Sequence, residues 1–250
     1  LGTDFGLAQT PGIDQTGFFP VYLTNNKDET FNFGDTGTEA PRASELLWLA
    51  DRFNQPALAG WFLHTGGGSA AKNLLWYRPG LGEDSAFDSL ALDKHFSGVE
   101  VASFRSAWLQ PEGVFVAFKG GTVNRGHGQL DVGNFVLDAL SVRWAEQTGA
   151  DNYNLPGYSN RGSGQRWTYY RIRAEGQNTL VINPGAGPDQ NLAANAPIIH
   201  LASRPNEAVG IIDMSSAYAP HARARRGIAL FDNRRQVMIQ DEIEADDPAE

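Results

Sequence analysis

Up to about residue 90 the apolar positions recur every three to four residues, and beyond it the period falls towards two. In the first part Ser44 is placed to cap a helix whose apolar stripe is Leu46, Leu47, Leu49, Ala50 and Phe53. Pro56 limits that helix, 57–64 reads as a second short helix before the break at Gly66-Gly67-Gly68, and 71–77 as a third. Short helices with short connections predict antiparallel neighbours in an all-α assembly. In the second part strands are predicted over 99–108, 114–118, 135–144, 179–183, 198–202, 209–212, 228–231 and 236–243. Asp232-Asn233 lies between the last two and suits a hairpin turn. Many short strands without intervening helices predict antiparallel sheets packed as a sandwich. Residues 80–90, with Gly80, Gly82, Glu83, Asp84 and Ser85, read as the linker. The expected organisation is therefore a multidomain α+β chain, helical over 1–85 and sandwich-like over 86–250.

Composition narrows the possible chemistry. The 250 residues carry 20 Lys and Arg against 29 Asp and Glu, a net charge of −9, and no Cys. Without Cys there are no disulfides, no thiolate metal ligands and no Cys nucleophile. A pI near 5.0 disfavours a broad nucleic-acid-binding face. No apolar run approaches the roughly 18–20 residues that span a bilayer. The chain opens Leu1-Gly2-Thr3-Asp4-Phe5, with neither an initiator Met nor a signal-peptide pattern, and closes on an acidic tail, so a segment of a longer protein is expected.

Residues 119–184 hold the polar residues hardest to explain as scaffold. Lys119-Gly120-Gly121 is followed by His127-Gly128-Gln129-Leu130-Asp131-Val132-Gly133-Asn134-Phe135, then by Arg143-Trp144-Ala145-Glu146-Gln147-Thr148-Gly149 and by Tyr153-Asn154-Leu155-Pro156-Gly157-Tyr158. Arg166-Trp167-Thr168-Tyr169-Tyr170-Arg171-Ile172-Arg173 and Glu175-Gly176-Gln177-Asn178-Thr179 complete the set. In order and spacing this stretch resembles the heparinase II/III-like polysaccharide lyases, a group that includes oligoalginate lyases. Upstream, Asn32-Phe33-Gly34-Asp35 and the helix after it look like the end of that family's helical domain.

The resemblance implies the C-terminal part of an (α/α) toroid followed by an antiparallel β-sandwich. It implies β-elimination at a uronic acid, a carbon–oxygen lyase reaction. That reaction needs neutralisation of the sugar carboxylate, a base for the C5 proton, and a proton for the departing O4. The sandwich His of the family matches His127, as acid/base or carboxylate neutraliser, against the plainer reading of a loop His bonded to backbone. The family's toroid Tyr and Asn or His match nothing convincing in 1–90, so the catalytic set is expected to be completed upstream of this chain.

At the family's metal site the pattern His-x-His-x-Asp-x-Gly, Asp-x-Gly, His-Asn-Thr supplies zinc ligands from its second His, its later Asp and its last His. Here those positions are Gln129, Gln147 and Gln177. A neutral amide is a poor zinc ligand, so no zinc and no other cofactor is expected, with the amides bonding one another. The plainer alternative makes them ordinary surface glutamines.

Arg161, Arg166, Arg171 and Arg173 lie in a stretch, 159–174, without an acidic residue. Arg166 and Arg171 are expected to hold sugar carboxylates and Trp167 and Tyr170 to stack on sugar rings, unless the arginines form a solvated strand face with aromatics behind. His64, His95, His200 and His221 read as structural or surface residues, and Asp35 as a turn or cap residue rather than a substrate-orienting one. The partner is expected to be an acidic poly- or oligosaccharide, not nucleic acid, and the resemblance places such enzymes in the periplasm or outside the cell. The reading from another class is a non-catalytic carbohydrate-binding or structural module derived from such a lyase.

Overall fold

The computed structural model describes residues 3–67, 70–82, 87–162 and 164–245. Gly68, the expected 85/86 boundary, Glu83, Asp84, Ser85 and the end of the acidic tail lie outside the described residues. The chain divides into two compact units, Leu1–Thr30 with Glu39–Ala91, and Phe31–Thr38 with Leu92–Glu250. No helix among the described residues is long and apolar enough to cross a membrane.

The first unit is helical: α1 (Ile13–Thr16), α2 (Phe18–Tyr22), α3 (Glu45–Phe53), α4 (Pro56–His64) and α5 (Asn73–Trp76). The predicted stripe of α3 is buried at Leu46, Leu47, Leu49 and Ala50. Asn54 ends the helix at φ +54°, a left-handed conformation that Asn tolerates better than most residues. Pro56 begins α4, where its missing N–H has no helical partner to lose. Ser44 sits at the expected cap position, but its hydroxyl donates to Asn73 Oδ1 at 2.5 Å instead of to the helix backbone.

The second unit carries antiparallel strands: β1 (Lys94–Phe96), β2 (Val101–Arg105), β3 (Phe115–Lys119), β4 (Gly121–Thr122), β5 (Phe135–Ala139), β6 (Val142–Ala145), β7 (Asn195–Ala196), β8 (Ile198–Arg204), β9 (Glu207–Asp213), β10 (Ala222–Phe231) and β11 (Gln236–Ala245). Among the described residues they form a five-stranded sheet in the order β1-β2-β3-β5-β6, a four-stranded meander β11-β10-β9-β8, and the pair β4-β7. The core draws on the two larger sheets: Phe104 and Phe118 from one lie with Ile212, Ile228 and Leu230 from the other. Gly210 in β9 admits this packing, because a Cβ there would stand 2.5 Å from the ring of Phe118.

Two predicted strands come out differently. The span 135–144 is two strands joined at Leu140 and Ser141, both with positive φ (+55° and +61°). Turns of this kind favour Gly or Asn, and neither residue stands there to mark it. The span 179–183 is not a strand. Its backbone is held by side chains: the Leu180 carbonyl accepts from Tyr218 Oη at 2.7 Å, and the Asn178 carbonyl just before it accepts from Arg226 at 2.6 Å. Its apolar side chains still pack on the core. Asp232 and Asn233 form the β10–β11 turn as expected.

Candidate active site

The loop after β4 is folded back tightly. The Arg125 N–H donates to the Val123 carbonyl and the Gly128 N–H to the Arg125 carbonyl, which sets His127 at φ +62° with its side chain 71% exposed. The segment Phe31–Thr38 is clasped to this loop: the Asp35 N–H donates to the His127 carbonyl at 3.1 Å. Gly34 permits the approach, since it has a φ of +65° and a Cβ would lie 2.7 Å from that same carbonyl oxygen. The backbone thus fixes Asp35 beside His127 before any side chain is considered.

The Asp35 carboxylate is buried and surrounded by donors. Arg166 Nη2 reaches both of its oxygens at 3.0 Å, Tyr158 Oη donates at 2.9 Å, Gln129 Nε2 at 3.1 Å and Tyr153 Oη at 3.1 Å. Burial alone would raise its pKa, but the hydrogen bonds and charge of Arg166 and the bonds from Gln129 and Tyr158 hold it below its ordinary value. Arg166 also donates to the Gly128 carbonyl at 2.7 Å and the Tyr158 carbonyl at 3.1 Å, and its guanidinium lies 4.5 Å from the centre of the Tyr158 ring. Burial, then the Asp35 charge and hydrogen bond, push the Tyr153 phenol up; burial, more than the bond to Asp35, does the same for Tyr158.

The order of donors follows from these contacts. Ionised Asp35 can only accept, so Tyr153 donates to it. The Tyr153 oxygen, 3.0 Å from His127 Nδ1, then accepts, and Nδ1 carries the proton. In that tautomer Nε2 carries the ring's lone pair. A pocket of about 350 Å³ opens beside the ring, lined by Gly34, Asp35, Thr122, Arg125, His127 and Tyr153 and, deeper, by Lys119 and Asp131.

Behind Asp35 the three glutamines meet. Gln147 Nε2 and Gln177 Nε2 both donate to Gln129 Oε1 at 2.9 Å. Gln129 Nε2 also donates to the Gly149 carbonyl at 3.0 Å, Gln147 Oε1 accepts from the Gly149 N–H at 2.6 Å, and Gln177 Oε1 from Asn134 at 3.0 Å. All three are buried, at 0%, 1% and 8% exposure, so they are not the surface residues of the plainer alternative. Their amide oxygens all accept from neighbouring donors, and among the described residues no three His, Asp or Glu side chains converge to hold a metal. This donor set does not fit zinc.

The basic strip has to be redrawn. The segment from Arg161 to Arg173 contains no strand among the described residues, but turns and a short 3₁₀ helix at Gln165–Thr168. Arg166 is 2% exposed and committed to Asp35, so it cannot grip a polymer. Trp167 is 1% exposed, with its indole N–H donating to the Gly162 carbonyl at 2.9 Å, and is a core residue rather than a sugar platform. Arg173 is paired with Asp189 at 2.5 Å. Arg171 is exposed and donates to the Thr148 carbonyl at 2.7 Å, and Tyr170 is 62% exposed; neither lines the pocket beside His127. His64 pairs with Asp28 and His95 with Glu100. Asp35, set aside in the sequence as a turn residue, is the centre of the network, and Tyr153 and Tyr158 drew no role at all.

No family model and no curated protein matches the sequence. Solved structures do. The heparan sulfate lyase HepC of Pedobacter heparinus aligns with a TM-score of 0.64 at 14% identity, over 90% of this chain and 31% of its own length. Two heparinase III structures align with TM-scores of 0.64 and 0.62 at 15% and 13% identity, over 99% and 90% of this chain and 36% and 31% of theirs. The chain spans about a third of the length of these enzymes and shares their fold over that third, in keeping with the resemblance in residues 119–184.

Proposed function

We propose that this chain is part of a polysaccharide lyase that cleaves uronic-acid-containing polymers by β-elimination, starting from a fold held in common with the heparan sulfate lyases. In this reading residues 1–85 are the end of an (α/α) toroid and 86–250 an antiparallel β-sandwich, and the enzyme works in the periplasm or outside the cell. The observation that carries it is the Asp35–Tyr153–His127 relay. His127 Nε2 takes the C5 proton, the C5–H electron pair becomes the C4=C5 double bond, and the C4–O4 bond breaks towards the leaving sugar. The relay stabilises the imidazolium so formed, because Tyr153 passes the influence of the Asp35 charge to the Nδ1 side of the ring. The departing O4 takes its proton from a second group, assigned to the toroid portion of the fold. No step needs a metal, and the buried amides serve as scaffold behind Asp35.

The test is ultraviolet detection of unsaturated uronate ends on a panel of polyuronates, sulfated and unsulfated, using the natural protein that carries this chain. The expected result is product from at least one polymer and a rate at least about 10²-fold lower from the His127→Ala variant. Binding of these polymers without any unsaturated product supports instead a carbohydrate-binding module, the reading that replacement of the zinc ligands favours.

A further inference from the structure

The pocket beside His127 holds ionic groups that the relay does not use. Lys119 and Asp131 are both buried, with side chains 6% and 1% exposed, and pair at 2.7 Å; the Lys119 ammonium also donates to the Gly120 carbonyl at 3.0 Å. The other carboxylate oxygen, Asp131 Oδ2, is buried with no hydrogen-bond partner. A carboxylate oxygen kept from water without a donor costs folding free energy, which makes it a candidate acceptor for a ligand's donor. At the exposed side stands Arg125, whose Nε donates to Thr122 Oγ1 and which has no acidic partner among the described residues.

The charges of the pocket can be paired off. Lys119 balances Asp131 and Arg166 balances Asp35, so Arg125 remains as the uncompensated cation, beside His127, in a chain of net charge −9. A guanidinium held by one nitrogen presents its other N–H groups in the fork that matches a carboxylate. About 350 Å³ lies within the range of small-molecule sites.

We propose that Arg125 reads the carboxylate of the acidic sugar at this site, and that Asp131 Oδ2, held by Lys119, accepts a hydrogen bond from a hydroxyl of the same sugar. The inference rests on the lyase reading only in choosing an acidic sugar as the ligand. It supplies a carboxylate-neutralising group, the requirement that His127 acting as base leaves open. Arg166, which the sequence favoured for that contact, is buried against Asp35, and Arg125 takes its place.

The experiment is an NMR titration of the full chain with sodium D-glucuronate, its neutral methyl ester and D-glucose 6-sulfate, followed at the Arg125 Nε–H and His127 Cε1–H signals. Glucuronate is expected to shift both signals and to bind at least tenfold more tightly than the ester or the sulfate ester. Arg125→Gln is expected to remove the preference for acid over ester. The double variant Lys119→Met with Asp131→Leu, an apolar exchange of similar volume, is expected to weaken glucuronate at least tenfold while leaving the melting curve cooperative. Equal binding of acid and ester, tighter binding of the sulfate, no response to any probe, or an unchanged preference in Arg125→Gln overturns the proposal. If the double variant does not fold, the Arg125→Gln arm decides. Binding that follows this pattern in a protein without lyase activity rejects the lyase reading and leaves this one standing. Turnover with an unchanged KM in Arg125→Gln does the reverse.

Discussion

The phenol oxygen of Tyr153 lies 3.0 Å from Nδ1 of His127, and because the phenol gives its own proton to Asp35, it can only accept from that ring. A loop histidine that is mostly exposed is thereby held in one tautomer with Nε2 free. Tyr153 is a positioning residue in this account. Tyr153→Phe keeps the ring but removes the acceptor, so nitrogen NMR is expected to find His127 protonated at Nδ1 in the parent chain and as a tautomer mixture in the variant. Turnover should fall about tenfold or more, without exceeding the roughly 10²–10⁴-fold attached to the base itself.

Asp35→Asn removes the charge opposite Arg166 and leaves a buried guanidinium unpaired. A loss of about 3–5 kcal/mol is expected for breaking a buried pair in this way. Urea unfolding of the variant measures it. A change under 1 kcal/mol would contradict the central place given to Asp35.

The depressed pKa of Asp35 fixes the sign of a pH effect. Its contribution to stability is fully present above the ordinary carboxyl value of 3.8 and is lost as pH falls below that towards the lower folded value. The stability gap between the parent chain and Asp35→Asn is therefore expected to be constant near neutrality and to narrow on acidification below about pH 4. A gap that widens there has the wrong sign for this account.

Gln129 takes bonds from two other amides and gives bonds to Asp35 and Gly149. Gln129→Leu strands the buried donors of Gln147 and Gln177, at about 1–3 kcal/mol for each unsatisfied group. Because the three amide oxygens already accept from protein donors, dialysis against a chelator is expected to leave the melting temperature of the parent chain unchanged. A fall in melting temperature restored by added zinc would contradict this.

The helical stripe of α3 and the alternation in β9 were legible because burial on one face imposes a period, whereas of β10 only 228–231 was read and its alternating first half, 222–227, was missed. The turn at Leu140-Ser141 was not, since neither residue is a usual one for positive φ, and 179–183 misled because its apolar run packs on the core without pairing. In the site, His127 and the three glutamines were legible from motif order. The role of Asp35 was hidden by distance along the chain, since it is 131 residues from Arg166 and 118 from Tyr153. The absence of acidic residues between 159 and 174 suggested free arginines, yet the acids that pair with Arg166 and Arg173 come from outside that stretch. Local charge counting cannot see a partner delivered by the fold.

The most direct test of the central claim is the rate at which the natural protein generates unsaturated uronate ends, compared with its His127→Ala variant on the same polymer. A loss of at least about 10²-fold is expected, the lower end for a general base, with polymer binding retained. A variant that turns over at the parental rate would contradict it.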